Sequence, residues 1–531
     1  MVVDITLHTT TGHGIDKYPA KSHAHRLAAK LGVDQGLIVL AATPATTYPD
    51  SDQPVPFRQD RYFSYLTGCN EPNCYVTYDI GKDSLTLWLP AIDERRVVWT
   101  GRGSTVDEAL DKYDVDEARY IQPDGTLEGA KGDIDGLALM RKEGFSVGQA
   151  IATIYPDQVC MTSFLGRGAR EERIMMASLG GLAERRDKLK RSLDACRVIK
   201  DEHEIELIRR ANEITAAAHT AVLRKIYRIT NEAEVDAAYT AVCISKHAKE
   251  QAYSPIAGSG PNASVLHYGS NNEDFVDRQM LVLDAGCEVE CYASDVTRSI
   301  PLNKKHPGHW PSTEAEDVYK LVEKVQEACI AQMKPGKSFI EISYLARRMT
   351  MDGLLELGVL KGDKEELWKA GTVLGFFPHG LGHHLGLEVH DVSPIPHPPA
   401  ADATLEAEGV ELAHLPFTLP PRFNFATTSS ASPSHLYSTG GGSELEPGMV
   451  VTIEPGVYFN HFLLEKFFLS DPKHSQFIDE KVLARYWKVG GVRIEDDILV
   501  TRGGYKNLTN APKGQAMLDV MREGAGHKCR D

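Results

Sequence analysis

Four short apolar runs in the C-terminal half of the chain each carry a carboxylate. MLVLDA holds Asp284, YASDVTRSI holds Asp295, MVVTIE ends on Glu454, and GVRIEDDILV holds Glu495. Runs of this length rich in Val, Ile and Leu read as strands. A carboxylate on such a strand either faces water or shares a cation or proton with a neighbour, because a lone buried charge is too costly. Any fold of this chain has to satisfy that condition four times over.

Residues 280–285 and 292–300, joined by a turn around GCEVE, are expected on neighbouring antiparallel strands that carry Asp284 and Asp295. Two carboxylates on one sheet face repel unless something positive lies between them. Taken alone, this segment is explained as simply by two unrelated surface aspartates. In GVRIEDDILV, Val492, Ile494, Ile498 and Val500 share one face, while Arg493, Glu495 and Asp497 share the other. Arg493 is then a ready partner for the Glu495 carboxylate. A solvent-exposed polar face explains the same alternation equally well. Glu454 closes its run just before a Pro-Gly turn, at a strand end where loops build sites.

The segment HGLGHHLGLEVHD brings His379, His383, His384 and His390 close together, interleaved with Gly380, Gly382 and Gly386 and followed by Asp391. Glycines allow tight backbone paths, and imidazoles near neutrality serve as ligands and proton carriers. The glycine spacing does not fit a dinucleotide loop, and no clear strand leads into it. Other hydrolase signatures are missing: there is no HExxH, no GxSxG and no GxxxxGK[ST].

At 531 residues the chain exceeds one ordinary core, so two domains are expected. A formal charge of −16 argues against a nucleic-acid or anionic-membrane binder, since both need a basic surface. The longest apolar run, GLIVLAA at residues 36–42, is too short to span a bilayer. The N-terminus does not read as a secretory signal. Nine cysteines without a CxxC pair suggest reduced thiols and a cytoplasmic location. Cys287 and Cys291 flank the acidic hairpin; small buried hydrophobes are the ordinary role of strand cysteines, with a zinc–thiolate site as the alternative.

In the first 180 or so residues, LIVLAA, CYVTYDI, SLTLWLPA and RRVVWTG read as strands and residues 106–112 as a helix, which suggests an α/β domain. Residues 177–228 read as a long helical stretch, and the domain boundary is placed near residue 185. The basic cluster Arg185, Arg186, Lys188, Lys190 and Arg191 reads as a solvated helix face. Residues 394–447, rich in Pro, Ser, Thr, Ala and Gly, read as a disordered surface insertion.

These segments, in this order, resemble the metallopeptidases that cleave bonds before proline, the Xaa-Pro aminopeptidase and prolidase family, and in pattern its fungal Xaa-Pro aminopeptidases. The resemblance rests on RYFSYLTGCNEPNCYVTYD and LWLPAIDERRVVWTGRGS in the N-terminal part. It continues through SGPNASVLHY, LVLDAGCEVECYASDVTRS, HGLGHHLGLEVHD, EPGMVVTIEPGVYF and GGVRIEDDILVT. It covers nearly the whole chain. It implies an α/β (α+β) protein with a creatinase/prolidase-type domain over residues 1–185 and a pita-bread catalytic domain over 186–531. By the same resemblance Asp284, Asp295, His383, Glu454 and Glu495 are ligands of two divalent ions. Asp295 and Glu495 bridge both, His383 and Glu454 serve one, and Asp284 completes the other. His379 and His390 match substrate-contacting histidines, and His267 in VLHY matches one that assists the transition state. Arg493 matches a residue beside the ligands and joins the substrate-binding set. Peptides with proline at position two are the implied partners, and a dimer the implied assembly.

The chemistry is consistent with that reading. Four carboxylates carry four negative charges, which two divalent ions neutralise, and a hydroxide bridging them forms near neutral pH. Oxygen donors with one imidazole suit Mn²⁺, with Co²⁺, Fe²⁺ and Zn²⁺ as competitors. The hydroxide is expected to attack the carbonyl preceding proline while His267 helps stabilise the oxyanion. Glu454 is the expected proton shuttle and His390 a contact to the carbonyl or developing amine. Proline's tertiary amide lacks an N–H and restricts geometry, so a dedicated pocket is reasonable. The chain departs from the family's pattern between His390 and Glu454, where 394–447 replaces a short loop. Alternatives are an Xaa-Pro dipeptidase, a creatinase-like amidinohydrolase, and a non-catalytic binding protein on the same fold.

Overall fold

An uninterrupted apolar run belongs inside a sheet, covered on both faces, and LIVLA is such a run. In the computed structural model, which describes residues 17–95, 97–121, 153–154, 182–392 and 444–526, it forms β1 (Leu37–Ala41), buried along its whole length. β1 lies inside a five-stranded sheet ordered β4-β3-β2-β1-β5, with β2 at Tyr75–Asp79, β3 at Ser84–Leu89, β4 at Glu117–Tyr120 and β5 at Thr153–Ile154. β2 runs antiparallel to β1 and β3, whereas β4 joins β3, and β5 joins β1, in parallel. Helix α1 (Ala20–Leu31) buries Ala20, His23, Ala24, Leu27 and Leu31, one face at helical spacing, and ends at Gly32 in the left-handed region. Asp60 caps α2 (Arg61–Thr67) by accepting from the Phe63 amide at 2.8 Å. RRVVWTG departs from its expected strand: Val97–Thr100 is a helical turn, α3, with Val98 and Trp99 exposed. The edge of β3 is taken instead by β4. Residues Val106–Lys112 form α4, closed by a Thr105–Glu108 capping box.

The chain divides into two compact units, Met1–Cys196 and Arg197–Asp531. The division falls late in helix α5 (Leu182–Val198), whose first turn holds the boundary position near 185. The helical stretch expected over 177–228 breaks before Asp201, which caps α6 (Glu202–Lys225) in a capping box with Glu204. Helix α7 (Glu232–Ser245) follows, capped by Asn231.

Three antiparallel strands, ordered β10-β7-β6, then carry the first acids: β6 is Ile256–Ser259, β7 Met280–Asp284 and β10 Thr297–Pro301. Asp284 pairs with Thr297 on one side and Ile256 on the other. Between β7 and β10 a small hairpin, β8 (Glu288–Val289) with β9 (Tyr292–Ala293), turns through Glu290 and Cys291 at positive φ. The second expected strand is therefore interrupted at residues 294–296, and Asp295 lies in that gap. Its amide donates to Asp497 Oδ2 at 3.0 Å.

GVRIEDDILV also divides. β13 (Gly491–Arg493) pairs with β12 (Gly456–Tyr458), while β14 (Asp496–Thr501) lies between β11 (Val450–Ile453) and β15 (Gly504–Asn507). Glu495 sits between the two strands, its amide donating to Thr297 O at 3.1 Å. The solvent-exposed alternative is overturned, because both faces are covered: Arg493, Glu495 and Asp497 are 3, 1 and 0% exposed. Helices α8 (Thr313–Ile330), α9 (Phe339–Glu356), α10 (Lys364–Ala370) and α11 (Gly514–Gly526) belong to the same unit. Tyr239, Leu283, Tyr319, Trp368 and Phe459 belong to one continuous core. The insertion expected over 394–447 lies outside the described residues except at its end, where Glu444 bridges Ser338 and Leu445 is buried.

Candidate metal centre

Each acid named from the sequence sits where regular pairing stops. Asp284 is the last residue of β7, Asp295 precedes β10, Glu454 follows β11, and Glu495 fills the break between β13 and β14. His383 reaches them because residues 381–385 run alongside β11: Glu454 N donates to Leu381 O, Thr452 N to His383 O, and Leu385 N to Val450 O. That approach needs Gly382, where an added Cβ would lie 2.0 Å from Thr452 O.

The ligand atoms converge in three overlapping sets: Asp284, Asp295 and Glu495; His383, Glu454 and Glu495; and Asp295, His383 and His390. Within each set they lie within 4.8 Å of one another. His383 Nε2 is 3.3 Å from Asp295 Oδ2 and 3.4 Å from Glu454 Oε1. Its Nδ1 faces His384 O at 3.0 Å. A carbonyl only accepts, so Nδ1 carries the proton and Nε2 presents its lone pair to the acids. Glu495 Oε1 is buried without a hydrogen-bond partner, while Oε2 accepts from Thr297 Oγ1 at 2.7 Å. A buried, unpartnered carboxylate oxygen amid three other acids and one imidazole lone pair suits a hard divalent cation. No cysteine enters any candidate ligand set among the described residues, and Cys287 is a buried thiol.

Burial first, then mutual repulsion, raises the pKa values of Asp295, Glu454 and Glu495. Asp295 is raised well above its ordinary value by burial, with Asp284, Asp497 and Glu454 adding to it. Glu454 and Glu495 are raised likewise, by burial and then by Glu495 and Asp295 respectively, with Arg493 opposing in both cases. The histidines are held neutral. Burial lowers His383 to about 4 and His379 to about 3, and His383 with burial lowers His390 to about 3. Full ionisation of the acids would need more positive charge than Arg493 supplies, so they keep protons unless a cation takes their place.

Arg493 is the principal cation facing the site. The guanidinium donates to Asp284 Oδ2 at 2.6 Å, Thr297 Oγ1 at 3.2 Å and Tyr458 Oη at 2.9 Å. The Tyr458 hydroxyl lies 2.8 Å from His379 Nε2, whose Nδ1 faces Gly380 O at 2.7 Å. Nδ1 therefore donates and Nε2 accepts from Tyr458, which chains Arg493 to His379. His390 stacks edge-on against His383 with ring centroids 4.2 Å apart. His267 is exposed on the loop after β6; desolvation lowers its imidazole, opposed by Asp284 and reinforced by Arg493.

Several partners were not evident from sequence. The Tyr253 hydroxyl donates to the acids, approaching both Asp284 Oδ1 and, at 2.5 Å, Asp295 Oδ1. Thr452 Oγ1 accepts from the His383 amide at 3.0 Å. Asp391 is buried between Arg197 Nη2 at 2.7 Å and Lys200 Nζ at 2.9 Å; burial raises its pKa, but Lys200 and Arg197 outweigh it and hold the carboxyl at about 2. Asp391 N donates to His384 O, the same carbonyl that receives His383 Nδ1–H. Only the position of Asp391, next to His390, hinted at this.

The model of metallopeptidase family M24 matches residues 206–502, and that of the aminopeptidase P N-terminal domain matches residues 20–126. The chain is 46% identical over 525 residues to a probable Xaa-Pro aminopeptidase of Pyrenophora tritici-repentis, covering 98% of this chain and 74% of that protein. It is 44% identical over 515 residues to one of Aspergillus clavatus, covering 97% and 95%. Among solved structures, Pseudomonas aeruginosa aminopeptidase PepP matches with a TM-score of 0.68 at 26% identity, over 96% of this chain and 99% of that one. The expected fold class, an aminopeptidase P-type N-terminal domain followed by a pita-bread catalytic domain, is the one these matches show. The chain belongs to metallopeptidase family M24, among the Xaa-Pro aminopeptidases, and is a hydrolase of that family.

Proposed function

We propose that this hydrolase removes an N-terminal residue from peptides with proline at position two, using a dinuclear centre held by Asp284, Asp295, His383, Glu454 and Glu495. The observation that carries the reading is the convergence of four acids and one imidazole lone pair around the unpartnered Glu495 Oε1. Two divalent ions held there, Mn²⁺ by the hardness of the donors, supply positive charge and lower the pKa of a water toward neutrality. Asp284, Asp295, His383, Glu454 and Glu495 would hold the ions, with Asp295 and Glu495 the carboxylates that link the Asp284 end of the cluster to the His383 and Glu454 end.

The chain's own residues do the rest. Glu454, raised by burial and Glu495, accepts the water's proton and returns it to the departing proline nitrogen. Neutral His267 donates to the oxygen of the attacked carbonyl, and His390 contacts the same peptide unit. Arg493 fixes Asp284 and, through Tyr458, His379, which lines the substrate's path. We place the division between the N-terminal and catalytic domains in α5, a dimer as the working assembly, and the cytoplasm as its location. The buried thiols of Cys69, Cys74, Cys243, Cys287 and Cys329, outside any disulfide, support a reducing compartment.

The test is hydrolysis of an Xaa-Pro-Xaa tripeptide and an Xaa-Pro dipeptide by Mn²⁺-loaded protein, with Glu495→Ala as control. Release of the first residue from the tripeptide, lost in Glu495→Ala, is expected. Cleavage of the dipeptide alone would instead mark a dipeptidase, and no cleavage by protein that binds two ions would refute the catalytic reading.

A further inference from the structure

Glu232 opens α7 with a fully buried carboxylate that accepts five hydrogen bonds, all from neutral donors. Oε1 accepts from Ser259 N at 2.8 Å, Ser259 Oγ at 2.7 Å and Asn262 Nδ2 at 3.1 Å. Oε2 accepts from Tyr268 Oη at 2.8 Å and Glu273 N at 2.9 Å. Burial works against its charge, yet these bonds hold its pKa below the ordinary value. The donors bracket the segment from the end of β6 to residue 273, which carries His267.

The first part of that segment is clamped independently. Gly260 lies at φ +54, and a Cβ on Gly490 would meet Gly260 O at 1.7 Å, so the two backbones touch. Asn460 Nδ2 donates to Ser264 O and Oγ, both at 3.2 Å. Beyond Ser264 the chain comes to the surface: Val265 is 46% exposed and His267 is exposed. Tyr268, next to His267, returns its hydroxyl to the buried Glu232.

From this we infer that Glu232 is a positioning residue, which through Tyr268 sets where the His267 imidazole stands. The inference deepens the role given to His267 above and rests on it. A buried carboxylate with both oxygens saturated has one low-energy placement, so the tether is stiff. Glutamine at this position would turn an amide NH₂ toward Tyr268 Oη and Glu273 N, which loses the bond from the Glu273 N–H and forces the Tyr268 hydroxyl to turn from donor to acceptor. Tyr268→Phe removes only the tether and leaves the other four bonds in place.

The experiment uses metal-loaded full-length protein and an Xaa-Pro-Xaa tripeptide. It compares Tyr268→Phe, Glu232→Gln, His267→Ala and the pair Tyr268→Phe with His267→Ala, and records metal content and melting temperature for each. We expect Tyr268→Phe to lower kcat about tenfold with KM within about twofold and metal content unchanged. In the His267→Ala background it should cost less than about twofold more, because the two act as one unit. If Glu232→Gln fails to fold, Tyr268→Phe carries the test alone. Wild-type kcat in Tyr268→Phe, or losses that multiply with those of His267→Ala, would overturn the inference. If His267→Ala itself keeps wild-type kcat, the role assigned to His267 falls. The tether is then judged by the His267 side-chain NMR signal: a shift or broadening in Tyr268→Phe supports it, and an unmoved signal overturns it.

Discussion

Asp295, Glu454 and Glu495 are buried together, and each has its pKa raised by burial before any neighbour is counted. In metal-free protein these acids bind protons more tightly folded than unfolded, where their pKa values are about 4. The folded state is then favoured below pH about 4 and loses that advantage as pH rises through the raised folded values. The melting temperature of the stripped protein should therefore fall between weakly acidic and neutral pH, and saturating Mn²⁺ should reverse the trend by binding the folded state. Differential scanning calorimetry at several pH values reads this directly. A second expectation concerns Arg493, whose fork serves Asp284, Thr297 and Tyr458 at once. Lysine has a single ammonium and cannot reproduce that geometry. Arg493→Lys should lower kcat/KM by about 10- to 100-fold in tripeptide kinetics, the usual range for a group that orients a ligand. The acids and His383 were legible in the sequence because each stands in a motif whose order is specific. Tyr253 and Thr297 were not, since a lone hydroxyl residue carries no sign of which carboxylate it will meet across the fold.

At the level of elements, the site depends on two strand breaks and one unusual strand neighbour. The alternation of GVRIEDDILV fitted one strand whose polar face was equally well a site or a wet surface. Instead β13 and β14 join different partners, and Glu495 occupies the break with both sides covered. Period-2 patterns reveal faces, but a face buried against a charged site looks identical to one turned toward water. The His383 segment pairs with β11 through backbone bonds that hydrophobic periodicity does not encode. Gly382→Ala should disrupt that pairing, since its Cβ would collide with Thr452 O at 2.0 Å. We expect loss of the His383-side ion first, seen as a fall from two bound ions toward one by elemental analysis. The buried Arg197–Asp391–Lys200 group fixes the other end of the same segment. Lys200→Met leaves Asp391 paired with Arg197 alone and one buried carboxylate oxygen without its charged donor, and should destabilise the catalytic unit by about 1.5–3 kcal/mol in urea unfolding.

Over the whole molecule, the two-domain organisation was readable from length and from the change of pattern near α5, and the family from motif order. The division between the two compact units falls within a long helix, whose periodicity carries no mark of where one unit gives way to the next. Among the described residues no helix is long and apolar enough to cross a membrane. Every element of the metal-centre proposal lies within one unit, Arg197–Asp531. The most direct test is therefore a titration of metal-stripped protein with Mn²⁺, following both bound metal and release of the first residue from an Xaa-Pro-Xaa tripeptide. The account predicts activity that rises from zero and saturates at two ions per chain, with neither binding nor activity restored in Glu495→Ala. Full activity in the stripped protein, or saturation with no more than one ion bound, would contradict it.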